Sequence, residues 1–209
     1  VLGNDVTGKG TIQSPYRSIT NALAQAKYIS TIKLTPGTYT TANGEIFPIQ
    51  LKSGVIILGN EAKQGKDTVI LGGGDFLSPT LTAKNITVLG ADRAELRGVT
   101  VTNRNSRGYG LWLEGTSPRI VSNTFTRSTQ DGILVLGGST AVISRNIFIT
   151  NGANGMSIEG VAQPDINNNR FENTGYGIII RQTATPRITG NFLSNNLSLI
   201  HISEPTRLR

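Results

Sequence analysis

The chain has 209 residues, 37% of them hydrophobic and only 16% charged, which suits one domain with a sizeable core and excludes a disordered or fibrous protein. Twenty-five Gly and an Asn- and Thr-rich texture point to many short strands and tight turns, so an all-β fold is expected. The absence of Cys excludes disulfides, thiolate nucleophiles and sulfur-bound zinc, while a net charge of +7 without a dense basic run favours an acidic polysaccharide over nucleic acid as partner.

In chain order, Ser18 is an N-cap and Ile19, Ala22, Leu23 and Ala26 form one apolar face at helical spacing, which predicts a short helix over 18–27. Such a helix would cover the open end of a stack of strands. The segments TIKLTPGTYT, LKSGVIILG and DTVILGGG then read as strands closed by Gly or Pro-Gly turns. Ile86 and Val88 open a more regular stretch that continues through Leu96, Val99 and Val101.

From there a period of about 22 residues takes over. Ile120, Ile143, Ile166 and Ile188 follow at steps of 23, 23 and 22, and Asn123, Asn146, Asn169 and Asn191 keep the same rhythm. So do Phe125, Phe148, Phe171 and Leu193, and a Gly series at Gly110, Gly132, Gly155 and Gly177. A unit this short holds two or three strands but no helix-plus-strand pair, which predicts the coil of a parallel β-helix. Like residues would then stack into internal columns, with the Asn column accepting the left-handed backbone of a sharp turn and hydrogen-bonding along the axis.

The phrases SPYRSITNALAQA, TIKLTPGTYT, GEIFPIQLKSGVIILG and PDINNNRFENTGYGIII resemble the domain of unknown function that opens many bacterial right-handed β-helix proteins of the pectin-lyase-like superfamily. The resemblance spans Gly3 to Asn196 and implies a right-handed parallel β-helix, a link to carbohydrate, and a secreted or cell-surface setting. It carries no catalytic signature. The expected domain is therefore 1–196, with the capping helix at 18–27 and regular coils at 86–196. Beyond it, LSLIHISEPTRLR breaks every column and resembles a translated sequencing adapter, so 197–209 is expected to be a non-native tail replacing further coils; a natural C-terminal cap is the alternative. No apolar run approaches the roughly 18 residues of a membrane span, and the start at Val1 without a leader leaves secretion open.

Chemistry is sparser. Polygalacturonase-like hydrolases of the superfamily resemble one another in paired Asp and a Gly-His-Gly segment, but here no two Asp adjoin and the single His, His201, lies past the repeat. The superfamily's lyases resemble a plan in which clustered carboxylates hold Ca²⁺ and Arg or Lys removes a proton. Glu114, Asp131, Glu159, Asp165 and Glu172 mostly differ in repeat phase, so no obvious cluster forms, no metal site is assigned and no cofactor is implied, with Ca²⁺ an option for a lyase. Aligned on the Gly series, Glu114, Leu136, Glu159 and Arg181 share an outward column, and two coils at about 4.8 Å put the two Glu roughly 9.6 Å apart, near the inverting-glycosidase spacing. Glu114, Glu159 and Arg181 are thus the candidate catalytic set, against the plainer reading of solubilising charges.

Binding draws on two further columns, Tyr109, Asp131, Asn154, Tyr176 and Trp112, Leu134, Ser157, Ile179, whose aromatic faces and hydrogen-bonding neighbours suit sugar rings. Tyr109, Trp112, Asp131, Asn154 and Tyr176 are the candidate ligand residues. The alternative packs Trp112 and the Tyr side chains under the loop TNRNSRGYG, with Arg104 and Arg107 stacked over them. The expected function is polysaccharide binding, acidic polymers included, or surface scaffolding. The alternative is a polysaccharide lyase or glycoside hydrolase, and a ligand-free spacer is a third. An open last coil would also allow end-to-end self-association.

Overall fold

The computed structural model describes residues 3–203. Its strands form three parallel sheets, and the chain visits each in turn through about eight coils of about 23 residues, a right-handed parallel β-helix. Sheet I runs from Ser30–Lys33 to Arg187–Thr189, and sheet II from Gly37–Tyr39 to Phe192–Ser194. Sheet III carries the longest strands: Ile49–Gln50, Ala83–Leu89, Gly108–Glu114, Ile133–Leu136, Asn154–Ile158, Tyr176–Arg181 and Ser198–Ser203.

Register is in phase with the sequence columns. In sheet I, Ile120, Ile143, Ile166 and Ile188 are direct partners, preceded by Ile32, Ile57 and Leu96. In sheet II, Tyr39, Ile70 and Val101 lead into Phe125, Phe148, Phe171 and Leu193. The Phe rings stack, with centroids 5.2 Å apart at 13° and then 4.5 Å apart at 4°. The Gly column faces this stack. A Cβ on Gly132 would lie 2.9 Å from the Phe148 ring, and on Gly155 2.5 Å from that of Phe171. These glycines make room for rings rather than supplying a left-handed turn.

The Asn column does half of what the sequence predicts. Each amide links coils: Asn146 Oδ1 accepts from the Asn123 backbone N–H at 2.9 Å and from its Nδ2 at 3.1 Å, while Asn146 Nδ2 donates to Ile120 O at 2.9 Å. The pattern repeats from Asn146 to Asn169 and from Asn169 to Asn191. The left-handed backbone, however, belongs to the preceding residue: Ser122, Arg145 and Asn168 have φ of 55°, 56° and 55°. A turn residue outside the core thus takes the strain and leaves the Asn side chain pointing in.

The predicted helix is Ile19–Gln25, capped by Ser18, whose side chain accepts from the Asn21 N–H. Glu45, only 2% exposed, completes the cap from outside the helix, its two oxygens accepting the N–H groups of Ile19 at 2.7 Å and Thr20 at 2.9 Å. Ile19 and Leu23 are buried against the core at this end, so the helix seals the solenoid. At the other end Ser198–Ser203 pairs in parallel with Tyr176–Arg181, Ile178 opposite Ile200 and Ile180 opposite Ile202. Residues 204–209 of the expected tail lie outside the described residues.

Asn146→Ala removes one donor and one shared acceptor inside the stack, and is expected to cost about 2–4 kcal/mol. Urea unfolding monitored by circular dichroism would measure it. A loss below about 0.5 kcal/mol would mean that the amide ladder is incidental to the stack.

Candidate functional site: the outer face of sheet III

Leu111, Leu113, Ile133, Val135, Met156, Ile158, Ile178 and Ile180 point into the core, which leaves three columns on the outside of sheet III. Tyr109, Asp131, Asn154 and Tyr176 form the first, Trp112, Leu134, Ser157, Ile179 and His201 the second, and Glu114, Leu136, Glu159 and Arg181 the third. The sequence alignment of these residues is therefore the spatial one. His201, placed past the repeat by the sequence, lies in register with Ile179, its ring centroid 5.2 Å from that of Tyr176.

Accessibility differs from the expectation at several positions. Trp112 is fully buried. The cover is not the loop at 102–110 but a hairpin: Gly74–Leu77 pairs antiparallel with Ala83–Ile86, and Phe76 meets the indole edge-on at 6.2 Å and 64°. Tyr109 flanks the indole on its other side at 5.2 Å and 90°. Glu114 is equally occupied. Its Oε2 accepts from Trp112 Nε1 at 3.0 Å and Ser78 Oγ at 2.8 Å, and its Oε1 from the Thr80 N–H at 2.9 Å. Burial pushes this carboxyl up, but the bonds from Thr80, Trp112 and Ser78 outweigh it and hold Glu114 below the ordinary range. The expected Glu114–Glu159 catalytic pair thus has one member committed to holding the hairpin.

Asp131 and Asn154 are also less open than expected, 5% and 8% exposed, because they bond each other. Asp131 Oδ1 accepts from the Asn154 N–H at 3.1 Å and from Nδ2 at 2.9 Å, and Asn154 Oδ1 accepts from the Tyr176 N–H at 3.3 Å. This is a third ladder, built like the Asn column but with a carboxylate at its head. Burial pushes Asp131 up to about 6 against the bonds from Ser157 and Asn154, with the negative charge of Glu159 adding to the rise. Tyr109 is pushed up to about 12, by burial first and then by Asp131 and Glu159, with Arg181 and Arg107 opposing. Glu159 pairs with Arg181 at 2.8 Å, and the Arg181 side chain is 46% exposed.

The open part of the face thus comprises Tyr176, 37% exposed, the Glu159–Arg181 pair and the outer side of Tyr109, resting on the buried Asp131–Asn154–Ser157 set. Among the described residues no three His, Cys, Asp or Glu side chains are grouped to hold a metal, and Asp165 and Glu172 sit on sheets I and II. Open grooves of about 410 Å³ and 270 Å³ lie at the N-terminal cap, the larger between Leu23, Ala24, Ile46 and Pro48, and neither includes a predicted site residue. Sequence reasoning missed Phe76, Ser78 and Thr80. Their signal was the run Gly72–Gly74 with Pro79, an interruption of the coil rhythm that marks an inserted hairpin.

The chain belongs to the family described as protein of unknown function (DUF1565), whose profile matches residues 1–205. No curated protein sequence matches the chain. Among solved structures it is similar to a pectin methylesterase from Yersinia enterocolitica, with 18% identity and a TM-score of 0.53 over 82% of this chain and 60% of that one. It is also similar to the catalytic unit of a thermostable α-1,3-glucanase from Streptomyces thermodiastaticus, with 18% identity and a TM-score of 0.52 over 93% of this chain and 40% of that one. The chain spans 60% and 40% of these two proteins, and at this identity the likeness is one of fold. No helix among the described residues is long and apolar enough to cross a membrane.

The Asp131 pKa gives a signed prediction. The folded state holds this proton to higher pH than the unfolded chain, so its contribution to stability declines as pH rises from 3.8 to about 6 and is level above. Asp131→Asn keeps the oxygen that Asn154 uses and removes the decline. At pH 7.5 it is expected to be more stable than the parent by on the order of 1–3 kcal/mol, with a flatter melting profile between pH 4 and pH 7. A less stable variant with an unchanged profile would contradict the buried-carboxylate assignment.

Proposed function

We propose that the outer face of sheet III binds polysaccharide, and that the protein is a carbohydrate-associated β-helix of a secreted or cell-surface system. The observation that carries the reading is the in-register face itself, in which one outer column presents an aromatic or hydrogen-bonding side chain from each coil, Tyr109, Asp131, Asn154 and Tyr176, along a rigid axis. A polymer of repeating rings matches such a strip better than a small molecule does. Tyr176 offers a partly open ring for stacking, Arg181 a guanidinium for hydroxyls or a uronate carboxylate, and Glu159 an acceptor. Asp131 and Asn154, tied to each other and to the Tyr176 backbone, fix the position of that ring rather than meeting the ligand.

Cleavage of the same polymer is the second reading. One observation favours it: burial pushes Asp131 up to about 6, with Glu159 adding to the rise, so this carboxyl changes its protonation state in the mildly acidic range. Arrays of acidic and neutral glycans, with and without Ca²⁺, test both. Tyr176→Ala and Arg181→Ala are each expected to weaken binding about tenfold with circular dichroism unchanged. New reducing ends or unsaturated uronates from a bound polymer, lost in Glu159→Gln, would establish cleavage. Absence of binding by the parent to every glycan would sink the binding reading and leave a scaffold.

The scaffold reading adds end-to-end association through the last described strand, where Ile200 and Ile202 are 42% and 69% exposed. Light scattering of the parent beside an Ile200→Lys, Ile202→Lys variant is expected to show a concentration-dependent mass in the parent alone. Monomers in both would remove this contact.

A further inference from the structure

We propose that the hairpin arm at 74–82 is a lid, latched by Glu114, over a second sugar-stacking platform made of Trp112 and Tyr109. The inference rests on the polysaccharide reading of the open strip and extends it to the coil of Trp112, two coils before that of Glu159.

The arm at 74–82 lies outside the repeat, while its partner Ala83–Ile86 belongs to sheet III. Its root is clamped: a Cβ on Gly74 would sit 2.0 Å from Phe47 O, Thr87 Oγ1 donates to Gly72 O at 2.6 Å, and Asn105 Nδ2 to Gly73 O at 3.2 Å. Its tip is held differently. Beyond the strand pairing, the contacts over the sheet face are the Phe76 edge on Trp112 and the two bonds from Ser78 and Thr80 to Glu114. The apolar side chains of the tip gain little from closure, Leu77 being 77% and Leu81 37% exposed. A segment with few buried contacts and one polar latch has the architecture of a locally opening unit.

What lies beneath fits the ligand of the open strip. Trp112 precedes Leu134 and Ser157 in the middle column, and Tyr109 precedes Asp131 and Asn154 in the first. With the arm displaced, the indole becomes a flat surface on the same outer face as Tyr176, three coils away and in the neighbouring column, its Nε1 still oriented by Glu114. An indole face flanked by a phenol suits a pyranose ring, whose C–H groups pack on the aromatic face while its hydroxyls bond at the rim. The lid then sets how many sugar units the face accepts: fewer closed, more open.

The single Trp makes the test direct, because all indole fluorescence reports residue 112. Two full-length variants break the latch from opposite sides. Glu114→Ala removes the acceptor, and Ser78→Ala with Thr80→Pro removes the tip donors while leaving the Glu114–Trp112 bond. Both are expected to keep the parent circular dichroism, to shift Trp emission to the red and to raise acrylamide quenching roughly threefold or more, since only the Phe76 edge and the short pairing with Ala83–Ile86 then hold the arm. The probes for binding are polygalacturonate and soluble α-1,3-glucan oligosaccharides of increasing length. The opened variants are expected to bind the longer members several-fold more tightly than the parent, and Trp112→Ala in the opened background to remove that gain.

Unchanged quenching in both variants would overturn the lid. Raised quenching with affinity and length dependence identical to the parent would overturn the platform while leaving the Tyr176–Arg181 strip in place. Binding to neither probe by parent or variants would remove the sugar platform together with the strip, while quenching would still decide whether the hairpin opens.

Discussion

Coil-on-coil register is the constraint on which the rest of this structure depends. A parallel β-helix has no layer on its far side to correct a slipped strand, so each coil must be locked to the one before it. Here the lock is the amide ladder from Asn123 to Asn191, in which the Oδ1 of Asn146, Asn169 and Asn191 each takes two donors from the preceding coil and each Nδ2 reaches one of that coil's carbonyls. These bonds are buried, so breaking one leaves polar groups without water. The Phe stack and the facing Gly column add a steric lock: the rings fit only where the neighbouring strand has no side chain.

That lock creates the candidate face. With register fixed, residues one period apart become neighbours, and Asp131, Asn154 and Tyr176 form a ladder on the outside of sheet III. The Asn column shows that an amide would satisfy Asn154 as well as a carboxylate does. A buried Asp at this position therefore adds an electrostatic cost that the stack does not require, and such a cost is characteristic of positions kept for chemistry or recognition. The ion pair of Glu159 with Arg181 places the mobile charge of the face next to this fixed one.

The likeness to a pectin methylesterase and an α-1,3-glucanase extends to how the strands are stacked and no further. Chemistry on such a solenoid is set by its outward side chains and not by the stack of inward ones, which is why one fold carries unrelated activities. In this chain the outer face of sheet III is divided by its own insertion: the hairpin covers the coil of Trp112 and leaves the coils of Glu159 and Tyr176 open.

Periodicity in the sequence was sufficient to determine the architecture, the inward Ile and Phe columns and the three outer columns, because a stack of like coils converts sequence period directly into spatial adjacency; the capping helix was legible separately, from its Ser18 N-cap and helical apolar spacing. It determined the ordering of Tyr109, Asp131, Asn154 and Tyr176 for the same reason. It did not determine exposure. Trp112 and Glu114 have the phase of surface residues and are removed from the surface by Phe76, Ser78 and Thr80, about 35 residues earlier and outside the repeat. Asp131 and Asn154 have the phase of ligand contacts and are turned toward each other. Nor did it place the left-handed φ at Ser122, Arg145 and Asn168 instead of at the Asn that follows each. Those outcomes depend on contacts between segments that share no period, and only the folded chain brings such segments together.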